Sequence, residues 1–298
     1  MILVIGANGN TGRALVSKLL AKGAKVRGLG SNSRAGAAIA AAGAEALVGD
    51  FNDETTLAAA MQGVERVFHV MPPLHPGEIE VGRKVIAAAE RAGVRHLVYM
   101  TLVLEHLEEL AYHWNKLRVH QLLHHSKLPY TVIQPTSYMQ NISWAWPTIM
   151  ASGKFALPYS ADQGMTWVDM HDVAEAMANV LTEEGHEYAT YETVGTPPLS
   201  RRAICEVISR VMGRRIEAVV ADLDQFLAQP HWRVFRPEQL AQMRASFEDF
   251  DRNGIRAGNP KVLAMLLGRP PATYEQFITR FAASPELQAW KRDTNATA

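Results

Sequence analysis

The sequence predicts an α/β fold, a doubly wound parallel β-sheet followed by a smaller C-terminal lobe. Short apolar runs alternate with longer Ala- and Leu-rich runs over the first 135 residues. Several of the longer runs stop at a glycine, as helices commonly do. A glycine-rich turn lies directly between the first apolar run and the first helical run. Because successive strands joined by helices are parallel with right-handed crossovers, this alternation indicates one sheet covered by helices on both faces.

Each element follows from its local pattern. The run 2–5 (ILVI) is continuously apolar, which is typical of a strand buried on both faces. The run 11–22 places Leu15 and Leu19 at helical spacing before Gly23. Short apolar runs predict strands at 2–5, 25–29, 46–48, 64–71, 96–100 and 130–134. The longer runs predict helices at 11–22, 35–42, 54–62, 78–92 and 112–125.

The pattern loosens after Pro135. A helix at 169–181 and a strand at 190–194 are predicted to return to the main sheet. The domain prediction is therefore a Rossmann-type nucleotide-binding domain over 1–155, to which 165–196 returns. A smaller, helix-rich substrate-binding lobe is expected over 156–298.

Composition excludes several classes of protein. The 298 residues carry 30 Lys+Arg against 30 Asp+Glu, so the basic field of a nucleic-acid-binding protein is missing. The single cysteine excludes an intramolecular disulfide framework and a cysteine-rich zinc site. There is no apolar run of about 18 residues to cross a membrane. We expect a soluble, cytoplasmic protein that binds neither nucleic acid nor membrane, with a homodimer as the hypothesis for its assembly.

The glycine-rich turn at residues 6–12 (GANGNTG) is the strongest chemical signal. Glycines permit a tight turn and a close backbone approach, so that amides at the helix N-terminus can bind a pyrophosphate. The alternative is a glycine-rich turn that binds nothing. The Gly-x-x-Gly-x-x-Gly spacing resembles the short-chain dehydrogenase/reductase superfamily and implies a nicotinamide dinucleotide. The predicted cofactor contacts in the turn are Gly6, Asn8, Gly9, Asn10, Thr11 and Gly12.

The region after the second strand bears on the choice of cofactor. An acidic residue there would bind the adenosine 2′-hydroxyl of NAD, but the sequence reads RGLGSNSR at 27–34. Ser31, Asn32 and Arg34 can instead meet a 2′-phosphate, which favours NADP (NADPH) over NAD. Arg34 as a plain solvated residue is the alternative. Asp50 or the Phe51 amide is expected to face the adenine, unless Asp50 only stabilises its own turn.

Several segments together resemble the NmrA-like atypical short-chain reductases. They are GANGNTGR at 6–13, GDFNDETTLAAAMQGVERVF at 49–68, IAAAERAGVRHLVYMT at 86–101, LPYTVIQPTSYMQN at 128–141 and LLGRPPATYEQF at 266–277. The resemblance implies NAD(P)H-dependent reduction of quinones, dyes or related aromatic compounds, or a regulator that senses NADP(H). Ser31 stands where the family commonly has an arginine.

The catalytic candidates are Tyr112, Lys116 and Thr101. Tyr112 and Lys116 fit the superfamily's Tyr-x-x-x-Lys pattern and share one face of a helix. Lys116 is expected to contact the nicotinamide ribose and to lower the pKa of Tyr112, which then donates a proton. Thr101 is expected to orient the substrate carbonyl. Tyr112 as a packed aromatic residue is the alternative, and His113 is the rival acid and a candidate substrate contact.

The remaining candidates surround the expected substrate position outside the carboxyl ends of the strands. The further predicted cofactor contacts are Met71, Pro72, Pro73, Pro135 and Tyr138. The predicted substrate contacts are Met139, Trp144, Trp146 and Trp167. These apolar side chains suit an aromatic or quinone-like compound, although each of them can instead be a packing residue. The histidines show no metal-ligand spacing, so no metal site is predicted.

Two functions are consistent with these residues and with the resemblance. The first is an NAD(P)H-dependent oxidoreductase that transfers hydride to the carbonyl or conjugated double bond of a small aromatic or quinone-like compound. The alternative is a non-enzymatic NADP(H)-binding redox sensor that regulates a partner protein. A sugar-nucleotide epimerase is disfavoured because the C-terminal lobe lacks an arginine-rich run to bind a diphosphate.

Overall fold

The structure is a computed structural model that describes residues 1–283. Its strands are β1 (Ile2–Ile5), β2 (Val26–Gly30), β3 (Glu45–Val48), β4 (Arg66–His69), β5 (His96–Met100), β6 (Tyr130–Pro135), β7 (Ser137–Tyr138), β8 (Lys154–Leu157), β9 (Trp167–Val168), β10 (Thr190–Thr193) and β11 (Glu217–Val220). Its α-helices are α1 (Asn10–Ala21), α2 (Ser33–Ala41), α3 (Glu54–Ala60), α4 (Glu78–Arg91), α5 (Ala111–His124), α6 (Trp146–Ser152), α7 (Met170–Thr182), α8 (Arg201–Met212), α9 (Leu223–Leu227), α10 (Pro237–Asn253), α11 (Pro260–Leu267) and α12 (Tyr274–Ala283).

The main sheet has seven strands in the order β10-β6-β5-β4-β1-β2-β3, and all of its pairs are parallel. Strand β1 pairs with β2 on one side and with β4 on the other, so Ile2 lies beside both Val26 and Arg66. The strand order reverses between β1 and β4. The predicted doubly wound parallel sheet is confirmed, and β10 does return to it beside β6.

The central strands are apolar because both of their faces are covered. All four residues of β1 are buried, and Leu3 has no exposed surface. On one face, Leu3 and Val67 pack in a cluster with Val81, Val85 and Ala89 of α4. Burying one such side chain contributes about 1.5–3 kcal/mol, so the sheet is a rigid support for the loops that follow its strands.

The chain divides into two compact units. The first comprises Met1–Pro135, Met170–Thr193 and Lys261–Arg269. Among the residues that the structure describes, the second comprises Thr136–Asp169, Val194–Pro260 and 270–283. The division therefore comes directly after β6, whereas the sequence prediction placed it near residue 155. The periodic pattern could not show this, because residues after Pro135 that look irregular in sequence are already part of the second unit.

The second unit has two small parallel sheets, β8 with β11 and β7 with β9. Aromatic side chains fill much of its interior. Trp146 packs edge-on against Phe281, with ring centroids 5.3 Å apart, and Tyr159 stacks on Phe247 at 6.0 Å. Among the residues that the structure describes, no helix is long and apolar enough to cross a membrane.

Candidate active site

The loops after β1 and β4 diverge at the carboxyl edge of the main sheet. In doubly wound sheets, ligands bind at this point because the neighbouring crossovers leave on opposite faces. The glycine-rich turn follows β1 and joins it to α1. The segment of Met71, Pro72 and Pro73 follows β4, with Met71 buried and both prolines exposed.

Two glycines of the turn are required by the backbone. Gly6 has φ of +86°, a conformation that L side chains rarely adopt. A Cβ on Gly12 would lie 2.0 Å from the carbonyl oxygen of Gly6, which is far inside any allowed contact. The turn is closed by the Gly9 amide, which donates to the Gly6 carbonyl at 3.0 Å. The start of α1 is thus packed as closely as possible against the end of β1.

The N-terminus of α1 suits an anion. Its N-cap is Gly9, no side chain caps it, and its first turn contains no acidic residue. The positive end of the helix dipole and the amides of the first turn are therefore not neutralised by an acidic residue of the helix itself. Asn10 accepts a hydrogen bond from Arg13 at 3.0 Å on the exposed side. These features suit a pyrophosphate, and a side chain at Gly12 would push the start of α1 away from the end of β1.

The residues expected near the adenosine have local roles as well. Asn32 caps α2, since its side chain accepts from the Ala35 amide at 2.9 Å, and its amide lies 3.5 Å from the Ser31 hydroxyl. Arg34 is exposed. Asp50 accepts from the Asn52 backbone and side chain at 2.8 and 2.9 Å. Its carboxylate therefore stabilises its own turn, the alternative that the sequence left open.

A buried ion pair joins α5 to α4. Lys116 Nζ donates to Glu78 Oε1 at 3.0 Å, and the Tyr99 hydroxyl donates to the same oxygen at 2.7 Å. The side chains of Lys116 and Glu78 are 2% and 1% exposed. Neither Glu78 nor Tyr99 was predicted as a site residue. The available signal was a tyrosine inside a strand expected to be buried, since its hydroxyl then needs a partner.

Tyr112 lies beside this pair, with its ring centroid 5.4 Å from Lys116 Nζ. The sequence interpretation was that Lys116 lowers the pKa of Tyr112, but the structure gives the opposite direction. Burial raises the pKa of the Tyr112 phenol, and the negative charge of Glu78 raises it further. Burial is the main cause, and because Glu78 neutralises Lys116, the ammonium does not offset it.

His69 at the end of β4 belongs to the same cluster and was not predicted there. Its ring stacks on Tyr99 with centroids 5.5 Å apart, and neither ring nitrogen has a hydrogen-bond partner. Burial, followed by the charge of Lys116, lowers the pKa of His69 to about 3. The imidazole is therefore neutral at physiological pH.

The other two candidates on this side of the sheet are also enclosed. Thr101 is buried directly after β5, and its hydroxyl lies 3.5 Å from the Leu102 carbonyl. His113 is buried beside Tyr112, and its Nδ1 lies 3.0 Å from the carbonyl oxygen of Leu104. Tyr112, which is half-buried, thus presents more surface than His113.

The remaining candidates fall into two different units of the structure. Pro135 ends β6 in the first unit, whereas Tyr138, Met139, Trp144, Trp146 and Trp167 belong to the second. Met139 has no exposed surface, and Trp146 and Trp167 are buried against Phe281 and Tyr274. The structure gives these three side chains packing roles rather than an open surface. Trp144 is 43% exposed and lies beside Phe226 and His231.

Within residues 1–283, no group of three or more His, Cys, Asp or Glu side chains is arranged to hold a metal ion.

Comparison with known proteins agrees with this architecture. The sequence model of the NmrA-like family matches residues 1–278. An NAD(P)H azoreductase of Xenophilus azovorans is 28% identical over 95% of this chain and 99% of its own. The (4-alkanoyl-5-oxo-2,5-dihydrofuran-3-yl)methyl phosphate reductase of Streptomyces griseus is 30% identical over 95% of this chain and 98% of its own. The crystal structure of an NADPH-dependent quinone oxidoreductase from Escherichia coli, complexed with NADPH, superimposes with a TM-score of 0.83. It is 23% identical and covers 95% of this chain and 100% of that one.

Proposed function

Because this chain belongs to the NmrA-like family, we propose that it is an NAD(P)H-dependent reductase of small aromatic or quinone-like compounds. The observation that carries the proposal is the turn between β1 and α1, where Gly6 and Gly12 allow a pyrophosphate to reach an uncapped helix N-terminus. Two relatives similar over nearly their whole length are named as reductases, which supports the same class of activity.

NAD(P)H binds across the carboxyl edge of the main sheet in this proposal. Gly6, Gly9 and Gly12 admit the pyrophosphate to the first turn of α1, with Asn8, Asn10 and Thr11 beside it. The buried Met71, which follows β4, lines the bottom of the proposed site. When bound, the cofactor would supply the hydride.

Tyr112 is the proton donor in this proposal. Its raised pKa keeps the phenol protonated, so it donates a hydrogen bond to a substrate oxygen or nitrogen. The proton passes to that atom only as the arriving hydride makes the atom more basic. Lys116 and Glu78 form a buried ion pair beside Tyr112, and their charges cancel. Thr101 directly follows β5, where its hydroxyl can orient the substrate.

NADPH is proposed to be preferred over NADH. No acidic side chain follows β2, and the exposed Arg34 and Ser31 there can meet a 2′-phosphate. The binding of NADPH by the quinone oxidoreductase of similar fold is consistent with this preference. NAD is the alternative cofactor. The Asn32 side chain, which was expected to contact a 2′-phosphate, caps α2 instead.

Nicotinamide absorbance provides the direct test. Purified full-length protein is mixed with NADPH, then NADH, against a panel of quinones, azo dyes, enones and aromatic ketones. Consumption that depends on both protein and acceptor supports the reductase, and the ratio of rates reports the preferred cofactor. A heat-inactivated sample is the control for direct chemical reduction.

The same experiment separates the sensor hypothesis. If no acceptor is reduced while NADPH raises the melting temperature, the reductase proposal is overturned for these substrate classes and a cofactor-sensing role is favoured. If neither cofactor changes the melting temperature, the proposal that the glycine-rich turn binds a nicotinamide dinucleotide is refuted.

A further inference from the structure

A second, unassigned feature lies within the second unit, around Arg201 at the start of α8. The side chain is 4% exposed, and its Nη2 donates to the Tyr159 carbonyl at 2.6 Å. Its Nε and Nη1 atoms are buried and have no hydrogen-bond partner. The guanidinium also lies over the Tyr159 ring, 5.1 Å from its centroid, but this contact leaves both N–H donors unused. Buried donors without a partner carry a desolvation cost, which points to a ligand that would accept from them.

No described carboxylate compensates this charge. The nearby Asp162 is exposed and accepts from Arg202 at 2.5 and 3.3 Å, so its charge is already matched. The three side chains together leave one positive charge, which belongs to Arg201. Burial lowers the pKa of Arg201, as expected for a cation without a close counter-ion.

The helix start increases this positive potential. Arg201 and Arg202 occupy the first turn of α8, and that turn contains no acidic residue. The macrodipole favours acidic residues at this end and disfavours cations. Such a conflict between local preference and sequence often marks a functional position.

Arg201 and Trp167, which carry the unused donors, line the same cavity. This cavity of about 10 Å³ is lined by Leu157, Tyr159, Met165, Trp167, Leu199 and Arg201, among others. Trp167 contributes a second buried donor, since its Nε1 atom also has no partner. This volume holds about one water-sized particle. Ser160 and Gln163 also line the cavity, but Ser160 Oγ already accepts from two backbone amides, and the Gln163 side chain is bonded to Arg252 and Arg256. A water molecule would need acceptors for its own hydrogens, whereas an anion uses only donors.

We propose that this cavity binds one small monovalent anion of halide size, held by the guanidinium of Arg201 and the indole N–H of Trp167. The proposal does not depend on the reductase activity. The ion would neutralise the buried charge and stabilise the second unit. An oxyanion such as phosphate is too large for the cavity.

Thermal unfolding of the full chain tests the site. The melting temperature is measured in sodium chloride and in sodium gluconate at equal pH and ionic strength, because gluconate cannot enter the cavity. A ligand that binds only the folded state stabilises it in proportion to the logarithm of its concentration. We expect a melting temperature about 2 °C or more higher in chloride.

Two matched variants locate the effect. In Arg201→Met the buried stem is kept and the charge is removed, so the difference between chloride and gluconate should vanish. In Arg202→Met, the exposed neighbour, the difference should persist. Equal melting temperatures in the two salts for the wild-type protein would overturn the proposal, as would an equal difference in both variants.

Diffraction provides a measurement that does not require a folded variant. Crystals of the wild-type protein grown in sodium bromide are measured at the bromine absorption edge. An anomalous peak in the cavity beside Arg201 supports the site. Bromide peaks found only at the protein surface would refute it.

Discussion

Lys116 Nζ and Glu78 Oε1 lie 3.0 Å apart in the interior of the first unit, although 38 residues separate them in sequence. Glu78 begins α4, and Lys116 lies in the middle of α5. The pair is closed off from solvent, and the Tyr99 hydroxyl donates a second hydrogen bond to the same carboxylate oxygen. The charge state of this pair therefore determines the electrostatic environment of Tyr112 and His69.

Removing one charge of this pair should destabilise the fold. Glu78→Gln keeps the shape but leaves Lys116 as an uncompensated buried cation, which typically costs about 3–5 kcal/mol. Urea unfolding should show this loss in the free energy of unfolding, and adding Lys116→Met should recover much of it. The exposed pair Arg244–Asp224 provides the control, because Asp224→Asn should cost less than about 1 kcal/mol. Equal losses at the two sites would contradict a special role for burial.

Tyr112→Phe tests the proposed proton donor. Removing a positioned general acid commonly lowers turnover by about a hundredfold or more. Steady-state rates should show that loss with an acceptor that needs a proton at its oxygen, while cofactor affinity stays near the wild-type value. Tyr130→Phe, at the start of β6, is a matched control that should leave turnover unchanged. A loss below about threefold for Tyr112→Phe would remove this residue from the mechanism.

The pH dependence of the same rate follows from the raised pKa of Tyr112. The acid form is the active one, and a raised pKa extends it to higher pH. Turnover in the wild-type protein should therefore show no loss from tyrosine ionisation up to about pH 10, the ordinary value for this side chain. A Tyr112-dependent fall in turnover between pH 7 and 9 would show that the phenol has a lowered pKa.

Arg34→Met tests the proposed preference for NADPH. Loss of one charge-assisted contact to a 2′-phosphate corresponds to about a tenfold increase in the Kd for NADPH. The Kd for NADH should change by less than about twofold, since NADH has no such phosphate. Calorimetric titration with both cofactors measures the two values, and Arg118→Met, at an exposed position of α5, should change neither. Equal weakening of both cofactors by Arg34→Met would refute a contact to the 2′-phosphate.

His69 should make the fold less stable in mild acid. The unfolded chain takes up a proton at this histidine near pH 6.5, whereas the folded chain resists it until about pH 3. The unfolded state therefore binds more protons between these values, and the free energy of unfolding falls as pH falls. His69→Phe, which keeps the ring beside Tyr99, should reduce the fall between pH 6 and 5 by about 1 kcal/mol. Urea titrations at both pH values measure it, and His106→Gln, an exposed position, should behave like the wild type.

The local sequence determined the main sheet and the glycine-rich turn. An apolar run such as 2–5 can only be satisfied by burial on both faces, and the glycines at 6 and 12 report a backbone approach that no side chain permits. These signals are carried by residues close in sequence, so they can be recognised without knowing the rest of the fold. The strand predicted at 190–194 also forms, as β10, and pairs with β6.

Only the tertiary structure decided what surrounds Lys116. Spacing along α5 placed Tyr112 and Lys116 on one face, but the partner that neutralises Lys116 comes from α4, and Tyr99 comes from β5. The direction of the Tyr112 pKa thus depends on a contact between elements far apart in the chain. The same holds for Arg201, whose burial and unused donors follow from packing against residues about forty positions earlier. Helix and strand periodicity record which face is buried, whereas the charge of a buried group depends on the neighbours that packing brings to it.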